Sequence, residues 1–499
     1  MNTKNKVKKS LPYSIAISLL NLVISLFGMV YLVRYLDEVD FGMMGLFLGL
    51  PFLLNIGVAM GFDMYITRFL PSVKDDQEVA RKFWRIFFVR MALISVISVG
   101  LIFVFPWFGP LFKMENHQVH FNFYQISLLA TFGEIYTRVL MNARFMQKQL
   151  LIMRVVYQTI RLAIIFWGVS HQSDFLFFII GFAGMDVLNL VIGVIIISAK
   201  IGVPKFSYIF QSYTETKDEK EYRQISYINQ IGTSFLGTDI DRYIIGYFST
   251  PTQVAIYVLA TQILGKLGNF FPEKMLKPLS TPAFFAEYDN SKESAAKLNR
   301  MFQFIFNTNN IIGFMFLACF IPVGKDLIMY VFHKPYTEEA FWPLIIFMIF
   351  MVLYSIPIGM VTQAIKKPQI LLISKVSIIF NMGLGIPLAK FYGAAGMASA
   401  TAASFLIKNL IIYVLVRKHV DVQIPWNSVI RSLINSGLTI GLITVALPYI
   451  HTHILVDAGL TVILYFTIMK FNPILTEEQK NTFFSLMPKK IAPVAHFIF

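Results

Sequence analysis

Eleven charged residues set within the apolar stretches of this chain are the candidates for chemistry. The cations are Arg138, Arg161, Arg242, Lys266, Lys375 and Lys408, and the acids are Asp63, Glu134, Asp186, Asp239 and Asp241. A charge at mid-bilayer costs about 2.5 to 3.5 kcal/mol even on insertion scales, so each should face a cavity or a partner. Lys266 lies about 13 residues, roughly 20 Å, from the outer end of its stretch, too deep to snorkel outward. Arg242 sits nearer the outer face, and either lines a cavity or pairs with Asp239 or Asp241 on its own helix. Glu134 and Arg138, at i and i+4, share a face and can neutralise each other. Arg161 and Asp186 fall near mid-membrane on successive stretches, where a buried pair would lock its bundle or exchange partners. Lys375 and Lys408 are close enough to the cytoplasmic side to snorkel. An acid that takes up H⁺ or Na⁺ has the same sequence signature as half of a static ion pair, so Asp63, Glu134, Asp186 and Asp239 are candidates for either role. Asp63 has a further interfacial alternative, answering Arg68 or Lys74.

The elements that must position these groups are membrane helices. Hydrophobic residues make up 56% of the 499 and charged residues 14%, against about a quarter charged in soluble proteins. Mean hydropathy is +0.64. The apolar stretches run to about 20 residues, enough for a helix to cross a hydrocarbon core of about 30 Å, whereas barrel strands need about ten. The expected spans are 11–33, 41–63, 86–108, 121–142, 149–170, 175–198, 223–248, 253–275, 299–321, 340–363, 369–389, 394–416, 429–449 and 453–470. The fold class is therefore an all-α integral membrane protein of about fourteen transmembrane helices. Lys4, Lys6, Lys8 and Lys9 precede an apolar run too long for a signal peptide, so that run is expected to be retained.

The single cysteine, Cys319, excludes a disulfide framework and is expected to pack. His451 and His453 have a spacing seen in metal sites but no third ligand nearby, so no metal is expected. Pro272 and Pro357 interrupt helices, either shaping a cleft or making tolerated kinks.

Lysines and arginines concentrate in alternate loops counted from the N-terminus, while the intervening loops hold Arg34, Lys113, Lys325, Lys334 and Lys390. By the positive-inside rule both termini are cytoplasmic. The same asymmetry accounts for most of the net charge of +15 as topology signal and attraction to anionic lipids, so no nucleic-acid partner is inferred.

An internal repeat is visible in polar and proline anchors. Ala80-Arg81-Lys82-Phe83-Trp84-Arg85-Ile86-Phe87 matches Ala295-Ala296-Lys297-Leu298-Asn299-Arg300-Met301-Phe302. Pro106 and Leu111 match Pro322 and Leu327, Gln149-Leu150 matches Gln369-Ile370, and Asn189-Leu190 matches Asn409-Leu410. A six-helix unit has an even number of spans, so its copy enters with the same orientation and a site is expected between the two lobes. The expected organisation is a lobe at 1–198, a cytoplasmic linker at 199–222, a second lobe at 223–418, two extra helices at 419–470 and a cytoplasmic tail at 471–499. The TETKDEKEYR tract is too charged to span. Residues 287–300 are read as an amphipathic helix on the cytoplasmic surface.

Three motifs carry a family likeness: GFDMYITRF closing the second span, DRYIIGYF followed by VAIYVLATQ across the seventh and eighth, and YGAAGMASATAAS entering the twelfth. Together they resemble the polysaccharide transport family of the multidrug/oligosaccharidyl-lipid/polysaccharide (MOP) exporter superfamily, which includes Wzx-type O-antigen flippases and has MATE antiporters and MurJ as relatives. The likeness covers roughly residues 10 to 420 and is expected to take in the last two helices. It implies two lobes that open alternately inward and outward. The implied cargo is a polyprenyl-pyrophosphate-linked oligosaccharide, carried to the outer leaflet of a bacterial cytoplasmic membrane. Arg242, Lys266, Arg138 and Arg161 would then line a cationic cavity for pyrophosphate. MurJ-type proteins carry arginines on the first helix, and here Arg34 at its outer end is the first, which counts against lipid II as cargo.

The implied partners are membrane lipids, glycosyltransferases and a polysaccharide polymerase, and no cofactor is implied beyond H⁺ or Na⁺. The alternative is a MATE-like drug antiporter, in which acidic and aromatic residues should dominate the cleft. A membrane glycosyltransferase or ligase would need catalytic groups in a large outer loop, and the outer loops are short, so an enzyme is not expected.

Overall fold

The computed structural model describes residues 22–73, 75–204, 215–271, 291–354, 357–365, 367, 369–450 and 453–480. Outside them lie the four N-terminal lysines, the first part of the opening span, Lys74, residues 205–214 of the linker, Pro272 with the end of the eighth span, residues 287–290, His451 and the tail from 481. Among the described residues all regular structure is helical, and eight helices are long and apolar enough to cross a bilayer alone.

In chain order the first helices are α1 (Leu22–Tyr35), α2 (Glu38–Val58), α3 (Phe62–Phe69), α4 (Asp76–Phe108), α5 (Gln118–Ala143), α6 (Gln147–Ser170) and α7 (Phe175–Ile201). There follow α8 (Lys217–Phe235), α9 (Thr238–Phe248), α10 (Pro251–Leu267), α11 (Lys292–Phe332), α12 (Pro335–Glu338), α13 (Phe341–Tyr354), α14 (Ile358–Ala364), α15 (Gln369–Ile373), α16 (Ser377–Arg417), α17 (Trp426–Ile450) and α18 (Ile454–Phe471).

Helix starts follow side-chain chemistry, because the first N–H groups of a helix lack intrahelical acceptors. Asp37 accepts from Asp40 N at 2.7 Å, Asp75 from Gln77 N at 2.9 Å, Asp174 from Phe177 N at 3.0 Å and Ser291 from Ser294 N at 3.1 Å. Thr216 and Glu219 form a reciprocal capping box at the start of α8.

Three expected spans are broken in ways that periodicity does not reveal. The second splits into α2 and α3 at Met60 and Gly61, both left-handed at φ 47° and 76°. The seventh splits into α8 and α9 at Gly237. The tenth splits into α13 and α14 beside buried Pro357, whose ring cannot continue the hydrogen-bond ladder. The eleventh begins in α15 and passes through a 3₁₀ turn at Ser374–Val376 into α16, which also holds the twelfth and turns at Gly393 with φ 55°. Close packing explains a second glycine there: a Cβ on Gly396 would lie 2.0 Å from the carbonyl oxygen of Leu388. The amphipathic segment expected at 287–300 is corrected from residue 292 onward, where it forms the first turns of the continuous α11 and not a separate surface helix.

The chain divides into two compact units, residues 1–255 and 256–499, and passes between them within α10. In the first, α5 packs against α7 through small residues. A Cβ on Gly133 would meet Leu190 at 2.6 Å, and one on Gly193 would meet Thr137 at 2.8 Å. One of its cores joins Tyr65, Ile66, Leu70, Phe83, Trp84 and Tyr136, and the Trp84 indole donates to Gly202 O at 2.9 Å.

In the second unit α11 is packed by α13, α17 and α18. α11 carries four consecutive buried polar residues, Asn307, Thr308, Asn309 and Asn310. On α17, Ser428, Ser432, Asn435, Ser436 and Thr439 form a buried polar stripe at helical spacing. The Ser436 hydroxyl donates to Phe314 O at 2.7 Å, and Asn435 exchanges hydrogen bonds with Asn472. In lipid, where burial gives no gain between helices, such side-chain bonds and close contact hold helices together.

Candidate functional site

The charged candidates of the first unit fall into three clusters. The first joins α3, α4 and α5. Arg90, 5% exposed, donates to Asp63 Oδ1 at 2.8 Å and to Asn55 Oδ1 at 3.2 Å, and its guanidinium stands 3.6 Å from the Tyr136 ring centroid. Asp63 is thus held by Arg90, while Arg68 instead stacks on Tyr222 at 4.1 Å. Arg90 lies only five residues into the expected span 86–108 and is absent from the sequence candidates because it groups with the basic tract Arg81, Lys82 and Arg85 just before it. Extending the helix back to its Asp75 cap places Arg90 about four turns in, a signal the sequence does contain.

The second cluster joins α5, α6 and α7. Asp186 accepts from the Ser127 hydroxyl and, at 3.3 Å, from the Tyr157 hydroxyl. It is not paired with Arg161, whose guanidinium lies 5.7 Å from the Phe182 ring centroid, one helical turn from Asp186. Glu134 and Arg138 make the expected pair at 3.4 Å. Arg154, absent from the sequence candidates although it lies within the expected span 149–170, stacks on Tyr157 at 5.6 Å. Arg154 and Arg161 are seven residues apart, and so share a face of α6.

The third cluster seats α9 on α2. Arg242 bonds Asp239 at 3.2 Å and Gly45 O at 3.3 Å, its side chain is 11% exposed, and its Nε has no hydrogen-bond partner. The Tyr243 hydroxyl donates to Leu46 O at 2.6 Å, and Asp241 is fully buried. Arg242 thus makes the i, i+3 pair that is one of its sequence alternatives, and it reaches Gly45 through the backbone carbonyl.

In the second unit Lys266 occupies the last turn of α10, half-buried, where a cation answers the unsatisfied carbonyls of a helix end. Lys375 is half-buried, and Lys408 lies 4.7 Å from the Phe405 ring centroid. Cys319 is buried in α11. Among the described residues no group of three His, Cys, Asp or Glu is placed to hold a metal ion.

The fold resembles those of solved MOP-superfamily transporters. Similar solved structures include a lipid II flippase MurJ in an inward closed conformation, at TM-score 0.69 and 15% identity over 92% of this chain and 98% of that one. An inward-facing multidrug resistance MATE family transporter matches at TM-score 0.58 and 12% identity over 82% of this chain and 97% of that one. A MOP superfamily transporter from Pyrococcus furiosus matches at 0.51 and 13% identity over 83% and 95%. The model of the polysaccharide biosynthesis protein family matches residues 7–271, and the chain belongs to that family. No curated protein matches it.

Proposed function

We propose that this protein is a flippase for lipid-linked oligosaccharides, moving polyprenyl-pyrophosphate-linked glycan from the cytoplasmic to the outer leaflet of a bacterial cytoplasmic membrane by alternating access. The observation that carries the reading is the set of arginines at membrane depth in the first unit, Arg138, Arg154, Arg161 and Arg242. Glu134 and Asp239 answer Arg138 and Arg242, whereas Arg154 and Arg161 have ring contacts and no carboxylate partner among the described residues, and a cation within a bilayer is costly unless an anionic group visits it. In this reading Arg242, Lys266, Arg138 and Arg161 hold the pyrophosphate in turn, while the polyprenyl tail stays in lipid. Membership of a polysaccharide biosynthesis family and likeness to a lipid flippase fold support it.

Coupling to H⁺ or Na⁺ is assigned to Asp186 ahead of the other acids. Asp63, Glu134 and Asp239 each hold an arginine, so a proton or cation taken up there would leave a guanidinium unpaired. Asp186 is held by two hydroxyls, which can turn to serve either state.

Glycosyltransferases and a polymerase are the expected neighbours in the pathway. The competing reading, a MATE-like cation antiporter, has the MATE folds in its favour. Reconstitution into liposomes with labelled polyprenyl-pyrophosphate oligosaccharide, with and without an imposed H⁺ or Na⁺ gradient, decides between them. Transport of an organic cation instead of the lipid would overturn the flippase reading.

A further inference from the structure

We propose that the first two turns of α8 are a latch closing the cytoplasmic end of the first unit, which must lift from α3 during each transport cycle. The consequence for transport rests on the flippase reading above. The contact itself is visible in the geometry.

The latch is built on the break between α2 and α3. Met60 is held in a left-handed conformation that side chains rarely adopt, and its carbonyl accepts from Arg223 Nη1 at 3.1 Å. Beside it, a Cβ on Gly61 would lie 2.2 Å from the backbone oxygen of Arg223, so only glycine lets α8 approach this closely. The Arg223 guanidinium is oriented by a two-point grip on Glu215, at 2.8 and 2.9 Å, and lies 4.6 Å from the Phe62 ring centroid. One turn along α3, the Tyr65 hydroxyl donates to Glu219 at 3.3 Å, and Phe69 meets Tyr222 edge to face at 5.6 Å.

What makes this a latch and not ordinary packing is the contrast between the two partners. Helix α3 is anchored in the core by Tyr65 and Ile66, both fully buried. Helix α8 is nineteen residues long, and Gly232 is its one buried residue. It is held at its end by ion-pair, hydrogen-bond and ring contacts, each weak where water can reach it and together closed but reversible. Breaks at both sides, Met60–Gly61 before α3 and Gly237 after α8, give the chain places to pivot. An element with few buried contacts is drawn from the low-stability end of a fold, where moving parts must come from.

The test uses the full-length protein carrying Cys319→Ser with Phe69→Cys and Tyr222→Cys. Oxidation in membranes should join the two cysteines rapidly, abolish movement of labelled polyprenyl-pyrophosphate oligosaccharide, and leave it recoverable by reductant. Adding Arg223→Ala should slow cross-linking several-fold, with Arg223→Lys intermediate, in protein that elutes as a single folded species. A cross-linked protein that transports at the reduced rate, or a cross-linking rate indifferent to Arg223→Ala, overturns the latch. If the protein with Phe69 and Tyr222 intact moves no such lipid, the flippase reading fails and the latch stands or falls on the Arg223→Ala rate alone.

Discussion

Arg90 reaches from α4 to Asp63 on α3, 2.8 Å away, and in doing so fixes the helix that follows the left-handed break at Gly61. The pair is buried against Tyr136, and its removal from one side leaves a carboxylate without its counter-charge.

Arg90→Ala is therefore expected to destabilise the protein by about 3 to 5 kcal/mol, the usual cost of orphaning one member of a buried pair. Arg90→Met combined with Asp63→Leu should cost markedly less. Thermal denaturation of the detergent-purified variants measures both; equal losses would mean that the pair contributes through its shape and not its charge.

Arg242→Ala with Lys266→Ala should abolish translocation of lipid-linked oligosaccharide while the protein still inserts at normal levels. Proteoliposome flux normalised to protein content is the measurement. Normal flux would remove both residues from the cargo path.

Asp186→Asn should eliminate any stimulation of flux by an H⁺ or Na⁺ gradient and leave gradient-independent movement intact. Tyr157→Phe, which deletes one hydroxyl donor to the same carboxylate, should weaken the stimulation without abolishing it. Gradient-stimulated flux in Asp186→Asn would move the coupling role elsewhere.

Gly396→Ala should yield little folded protein, because the added carbon falls 2.0 Å from a backbone oxygen that cannot give way. Gly383→Ala on the same helix has open space around it and should be neutral or stabilising by up to about 1 kcal/mol. Yields after size-exclusion chromatography compare the two directly.

Ser436→Val should lower stability by about 1 kcal/mol, since a hydrogen bond between membrane helices is worth about 0.6 to 1.7 kcal/mol and this one tethers α17 to Phe314. A calorimetric or thermal-shift comparison with Ser399→Val, whose hydroxyl bonds only to its own helix at Ala395, isolates the interhelical part.

Helix positions are legible in the sequence because bilayer thickness fixes their length and composition, and the start expected at 175 matches its cap Asp174, whereas the helix of the third span begins just after its Asp75 cap, ten residues before the expected 86. The breaks are not legible: Met60 and Gly61 depart from helical geometry to admit the backbone of Arg223, a residue far away in sequence, and no local signal records that demand. At the candidate site, Glu134–Arg138 and Arg242–Asp239 were readable as i+4 and i+3 neighbours. Asp186 was not, because its partners Ser127 and Tyr157 are hydroxyls on two other helices, and nothing distinguishes those hydroxyls in sequence from the rest. Arg90 is obscured by the basic tract just before it, and lies beyond the first turns of a helix that continues past the expected boundary.

The amides of α11 from Asn307 to Asn310 bear on how the second unit is made. Asn307 donates to Gln479 just beyond α18 at 3.1 Å, and α17 and α18 pack on the same helix, so until that later hairpin leaves the ribosome the nascent chain carries an uncovered hydrophilic notch within the bilayer. Maturation of this half is consequently a late event, and a polypeptide stopped short near residue 425 would present that notch to the quality-control proteases of the membrane.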